Sequence, residues 1–212
     1  MKDMSLFTTE NGIASLTLKE IPYSAKAYIR IQDSKQPEQL LKECADFCRA
    51  VGAESIYATG HIYLENFQKH CRILRMRCSL DTIEDTNTSL FPVTEKTLEE
   101  FRIIYNKAMQ NVPNASYLSD AGSKQVLEAG SGYFVHKNGQ LLGIGIAKGD
   151  RVESIVSLVP GAGKIVFQTL CHALCGAYVE IEVAEENIPA MRLYEKLHFI
   201  PIEEVAVWYK IV

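Results

Sequence analysis

The stretch Asn187-Ile-Pro-Ala190-Met-Arg-Leu-Tyr194-Glu-Lys-Leu-His-Phe199 decides the fold of this chain. It follows an alternating run, Tyr178-Val-Glu-Ile-Glu-Val-Ala184, in which Val179, Ile181 and Val183 share one face, the period-two signature of a strand. Glu180 and Glu182 alternate with them and are expected to meet solvent. Within the quoted stretch, apolar residues recur at Ala190, Leu193, Tyr194 and Leu197, the 3.6-residue spacing of a helix. Pro189 falls in its first turn, where a missing N–H costs nothing. A further strand-like run covers residues 199–211. An asparagine therefore closes a strand, and a fixed helix carries Tyr194 toward whatever lies beside that strand end.

Upstream, residues 151–159 read as a central strand, apolar on nearly both faces. Gly161-Ala162-Gly163 breaks it, and Lys164 to Ala177 is helical, with Val166, Leu170, Ala173 and Ala177 on one stripe. Residues 132–136 and 140–147 form a hairpin through Asn138-Gly139. Before it come a helical stretch at 119–129, an amphipathic helix at 97–109 opened by a Thr97-x-x-Glu100 capping box, and a short strand at 90–94. The order is strand, helix, helix, three strands, helix, strand, helix, strand. It predicts an α/β chain.

The first half is a smaller α/β region. Residues 25–32, 54–59 and 70–79 are strand-like and 36–51 helical. The polar run Asp81 to Ser89 lacks periodicity and reads as a linker, giving domains at 1–85 and 90–212. Both long helices end in Cys-x-x-x-Cys, a glycine and a strand, so the first half reads as a degenerate partial repeat of the second or as a coincidence of pattern. Gln36-Pro37 stands where the second half has its glycine turn. No pyrophosphate site is expected there, only a structural or substrate-facing part.

At 212 residues, 47% apolar and net charge −4, the chain can build a substantial core. It carries no basic run, which argues against nucleic acid as the main partner. No uninterrupted apolar run of membrane-spanning length occurs, and residues 1–10 lack the apolar core of a signal peptide; cytoplasmic residence is the expectation. The six cysteines are expected to be buried small hydrophobes, and no metal site is anticipated.

The quoted stretch resembles the C-terminal part of the GNAT superfamily of acetyl-CoA-dependent N-acetyltransferases, matching Asn-x-x-Ala-x-x-Leu-Tyr-x-Lys-x-x-Phe at every position. The element order over about 120 residues is similar to that family's as well. The resemblance implies a chain of the α+β kind, with a central mixed β-sheet flanked by helices. It also implies an N-acetyltransferase that moves an acetyl group from acetyl-CoA to a primary amine, on a small molecule or an exposed amino group. The alternative is a catalytically weak acyl-CoA-binding or protein-interaction module of the same fold. Oligomeric state stays open, a homodimer being one option.

Residue by residue, the resemblance makes Tyr194 the acid that protonates the leaving thiolate and Asn187 a contact of the pantetheine arm. Glu153, on the central strand, is the matching base; set among apolar residues and sharing a face with Ile155, Ser157 and Val159, it is expected to have a raised pKa. A core tyrosine and a solvated strand-edge Glu153 are the competing readings. Backbone amides near Ser157, Leu158 and Val159 are implied to pair with pantetheine and polarise the thioester carbonyl. The pyrophosphate falls to the turn Gly161-Ala162-Gly163-Lys164-Ile165, since a helix N-terminus offers unpaired N–H groups. The family pattern is Arg/Gln-x-x-Gly-x-Gly/Ala. Aligned on Gly163, Pro160 and Ile165 depart from it; Ile165 is expected to crowd the helix start and Lys164 to restore charge, leaving the turn weakened. A nucleotide P-loop fails, because Leu158 stands where its first glycine belongs and Ile165 where Ser/Thr belongs. The acceptor pocket is implied to lie at about 97–130.

Overall fold

The computed structural model describes residues 4–110, 112 and 115–212. Met1 to Asp3 and three residues of the implied acceptor region, Asn111, Pro113 and Asn114, lie outside them. Along the chain run β1 (Met4–Thr9), β2 (Gly12–Thr17), α1 (Ile21–Ser24), β3 (Lys26–Ser34), α2 (Pro37–Ala50), β4 (Ser55–Thr59) and β5 (Gln68–Ser79). There follow β6 (Ser89–Pro92), α3 (Leu98–Met109), α4 (Asp120–Glu128), β7 (Gly132–Lys137), β8 (Gln140–Lys148), β9 (Arg151–Ser157), α5 (Gly163–Cys171), β10 (Tyr178–Ala184), α6 (Ile188–Lys196) and β11 (Ile200–Lys210). The second-half elements match those read from the sequence in kind and order. The hairpin β1–β2 and the short α1 were not foreseen.

Contacts divide the chain into two units, one running to Ile73 and joined by Glu204–Val212, the other Leu74–Glu203. The division differs from one drawn between residues 85 and 90. Both crossings fall inside strands, β5 and β11, where no turn residue or change of composition marks them. In the second unit the strand order is β5-β10-β9-β8-β7-β6, antiparallel from β6 to β9 and parallel between β9 and β10. Asn138 (φ 52°) and Gly139 (φ 79°) make the β7–β8 turn in the left-handed region, as Asn-Gly permits.

One face of this sheet packs under α5, with Val152, Val166, Phe167, Leu170, Val179 and Ile181 at its core. The other packs under α3 and α4, with Phe101, Tyr105, Val126, Ile144 and Val156. Helix α5 lies close against β8: a Cβ on Gly145 would fall 2.3 Å from Leu170 Cδ1, and one on Gly143 2.8 Å from Val166 Cγ2. The capping box at Thr97 does not form. Its hydroxyl turns back to accept from Thr94 N–H at 3.0 Å instead of serving its own helix.

In the first unit the order is β1-β2-β3-β4-β11. Strands β3 and β4 are parallel and joined by α2, which buries Leu40, Leu41, Cys44, Ala45 and Cys48. The run β1-β2-β3-α2-β4 repeats the connectivity of β7-β8-β9-α5-β10. Five of the six cysteines are buried; Cys175 is exposed because α5 stops at Cys171, short of the expected Ala177. Burial pushes the Cys44 and Cys171 thiols up to about 12. Among the described residues, no helix is long and apolar enough to cross a membrane.

Candidate functional site

Strand β9 carries one surplus residue beside the site. Strand β9 pairs with β8 in register from Ser157 to Ser154, then slips: Ile146 faces Ser154, but Ala147 faces Val152. Glu153 is the extra residue, a β-bulge. It explains how Val152 and Ile155, three apart, both reach the α5 side of the sheet. A bulge bends its strand. Accordingly β9 and β10 are in register at Arg151 and Glu180, where Glu180 N–H donates to Asp150 O at 2.8 Å, and part beyond that point.

Beyond that point the end of β9, the turn that opens α5 and helix α6 with Asn187 before it enclose a cleft of about 740 Å³. Its floor is apolar, from Ile155, Leu158, Val159, Pro160, Pro189 and Leu193, and Gly161, Gly163, Lys164, Asn187, Arg192 and Lys196 complete its wall. Helix α5 starts at this wall. Ala162, its N-cap, supplies no side-chain cap, and the first helical bond runs from Val166 N–H to Ala162 O at 2.9 Å. The amides of Gly163, Lys164 and Ile165 therefore have no acceptor within the helix.

The glycines leave this end bare. Gly161 has φ +81°, which requires glycine, and a Cβ there would meet nothing within 4 Å. Gly163 has ordinary φ, and a Cβ on it would come no nearer than 3.8 Å to Leu193 Cδ2. Neither backbone nor packing demands glycine at 163; the space saved belongs to the cleft. Registered on Gly161, the turn reads Leu158-x-x-Gly161-x-Gly163, so both glycines of the pattern are present and Leu158 alone departs. Ile165 does not crowd the entrance, because it packs against the α5 core.

Of the residues singled out from the sequence, Leu158, Val159, Gly161, Gly163, Lys164 and Asn187 come together around this cleft. Ala162 does not: it is buried, and its amide donates to Val159 O at 3.1 Å. The Leu158 amide is also taken, donating to Leu142 O at 2.8 Å. Asn187 caps α6, its Oδ1 accepting from Ala190 N–H at 3.4 Å, which leaves the amino half of the side chain to the cleft. Lys164 Nζ donates to Glu84 at 2.9 Å.

Tyr194 is not in the cleft. It is 7% exposed, its ring packed 5.5 Å from Phe167 and 5.5 Å from Phe199. Burial, with Cys171 adding to it, pushes the phenol well above the usual tyrosine range. Glu153 is not there either: it is the unpaired residue of the bulge and is exposed, so the burial expected of a base is lacking. Glu180, expected in solvent, is 7% exposed and accepts from Arg77 Nε at 2.9 Å and Arg151 Nη2 at 3.2 Å. The Arg77 hydrogen bond holds its carboxyl below the usual range.

Two cations of the wall, Arg192 and Lys196, escaped the sequence reading. The signal was available. Pro189, Arg192 and Lys196 are three and four apart and so share a face of α6, turned away from that of Tyr194.

No protein-family model and no curated protein matches the sequence. Solved structures match its fold. A GCN5-related N-acetyltransferase from Sphaerobacter thermophilus superposes with TM-score 0.63 at 12% identity, over 93% of this chain and 75% of that one. A functionally unknown conserved protein from Staphylococcus epidermidis gives 0.61 at 10% identity, over 98% and 93%. A tandem GNAT protein from the clavulanic acid biosynthesis pathway gives 0.53 at 13% identity, over 98% and 83%. The chain thus has the α+β fold of the GCN5-related N-acetyltransferases, a mixed sheet flanked by helices. Of the two units of this chain, the second is the one in which the parallel strands part and the following helix opens on glycine.

Proposed function

We propose that the second unit binds acetyl-CoA in this cleft and transfers its acetyl group to a primary amine, on a small molecule or an exposed amino group. The observation that carries the proposal is the parting of β9 and β10 opposite the bare N-terminus of α5. The amides of Gly163, Lys164 and Ile165 suit a pyrophosphate, with the helix dipole favouring its charge. Lys164, Arg192 and Lys196 supply positive charge at the wall, and the apolar floor suits the pantetheine arm. The N–H of Val159, beyond the last β8–β9 pair, is placed to donate to the thioester carbonyl, its own carbonyl being taken by the Ala162 amide.

Acetyl-CoA supplies an activated thioester; the chain supplies grip and orientation. No carboxylate or imidazole belongs to the residues that line the cleft. In this reading the amine arrives neutral or loses its proton to water, and the thiolate, a good leaving group, takes its proton from solvent in the open cleft. The rate is expected to climb with pH toward the amine's own pKa, near 10 for a lysine-like amine. A plateau near neutrality would instead point to a side-chain base.

The second reading is an acyl-CoA-binding module with little turnover, favoured by the burial of Tyr194 and the lack of acid–base groups at the cleft. Calorimetric titration with acetyl-CoA, followed by thiol release in the presence of a panel of primary amines, separates the two. Binding with thiol release supports transfer, and binding without it the module. No heat at millimolar acetyl-CoA rejects both.

A further inference from the structure

The polar run that read as a linker is fastened along α5. Glu84 Oε2 accepts from Lys164 Nζ at 2.9 Å and from Gln168 Nε2 at 3.2 Å. Asp85 Oδ1 lies 3.3 Å from His172 Nε2. The hydroxyls of Thr86 and Thr88 meet Thr169 Oγ1 at 3.0 and 2.7 Å. Positions 164, 168 and 172 are one stripe of the helix, four residues apart. Gln168 and Thr169 are 3% and 1% exposed, so the segment covers two buried polar side chains and satisfies them. These contacts make residues 84–88 a strap, and its first residue lies at the first turn of α5.

That first residue is an anion on a cation of the cleft wall. Lys164 lines the cleft, yet its ammonium is already paired. The Glu84 carboxylate thus holds the ammonium that a phosphate at this end of the helix would also draw on. Hydrogen bonds from Lys164 and then Gln168 keep its carboxyl below the usual range, so at neutral pH it is ionised.

On the reading that the cleft takes acetyl-CoA, we propose that Glu84 is a built-in competitor for the phosphate charge, a residue that weakens cofactor binding by occupying Lys164. To gain the ammonium, a phosphate must displace the carboxylate, while the threonine and Asp85 anchors keep the strap in place for its return. The pair is exposed, with side chains 49% and 71% accessible, so it acts as a tuning device and not as a lock.

The test is calorimetric titration of acetyl-CoA into the wild type, Glu84→Gln, Lys164→Ala and the double variant, each checked for an unchanged melt. Glu84→Gln is expected to bind about two- to five-fold tighter, the range an exposed ion pair sustains. The gain should vanish in the Lys164→Ala background, because the competition runs through that ammonium. Equal or weaker binding by Glu84→Gln overturns the proposal, as does a gain that persists without Lys164. In either case acetyl-CoA binding by the wild type leaves the functional reading standing. Binding by Glu84→Gln alone supports the proposal, and binding by neither protein rejects it together with that reading.

Discussion

Tyr194 and Arg192 stand two positions apart on α6, roughly 200° around the helix, and do unlike work. Arg192 lines the cleft, while Tyr194 fills the core beside Phe167 and Phe199. The 3.6-residue spacing had already placed Tyr194 on the stripe of Ala190 and Leu197, which is the core stripe; the motif match pulled the other way. Tyr194→Phe is therefore expected to leave thiol release within about twofold of wild type, well short of the 10²-fold or greater loss typical of a missing general acid. Tyr194→Ala should cost about 3–5 kcal/mol in denaturant unfolding, as for a large aromatic removed from a core. A hundredfold fall in turnover for the phenylalanine variant would return the phenol to the chemistry. The glycines divide in the same way. Gly143 and Gly145 are required by the close approach of α5, whereas the bareness of Gly163 serves only the cleft.

Two strand pairs of like connectivity behave differently because of where each carries its bulge. Strands β3 and β4 stay in register over five positions, from Lys26 with Ser55 to Arg30 with Thr59, and the surplus residue of β3, Gln32, comes only after them. The surplus residue of β9, Glu153, comes two residues after the sole registered pair with β10, and the strands part. The first unit accordingly keeps its strands zipped where the second opens a cleft. Removing Glu153 would set Val152 and Ile155 two apart, so a regular strand would keep every apolar side chain on its present face. Deletion of Glu153 is thus expected to preserve a cooperative melt while weakening acetyl-CoA binding by about tenfold or more, equivalent to 1.4 kcal/mol or above. Unaltered affinity in the deletion variant would mean that the bulge does not make the cleft. Pattern alone could not show this, because a bulge leaves the sequence alternation broken at one residue and otherwise intact.

At the scale of the molecule, each unit borrows its last strand from the other part of the chain. The first unit holds Tyr209 against Ala58 and sets Trp208 edge-on to Tyr28, with ring centroids 5.3 Å apart. The second holds Arg75 and Arg77 of β5 on Glu180 and Glu182 of β10. Fragments 1–85 and 90–212 should therefore each fail to melt cooperatively alone. The first would lack β11 beside β4, and the second would leave the buried Glu180 without its β5 arginines, a costly loss for a desolvated charge. Mixed together, the two should recover a single transition by circular dichroism. Independent cooperative folding of either fragment would show that the borrowed strand is dispensable.

Local pattern sufficed for the second-half elements, the Asn138-Gly139 hairpin, the glycine turn and the order that defines the fold, because each is written in spacing and turn chemistry within a few residues. It was the family resemblance, and not local pattern, that grouped Asn187 with Gly161, Gly163 and Lys164, and the fold brings these four around one cleft. Tertiary structure alone decided that Glu153 is the unpaired residue of a bulge, that Glu84 sits on Lys164, and where the chain passes from one unit to the other. Those outcomes depend on partners distant in sequence, and burial and register are properties of the pair, not of either segment.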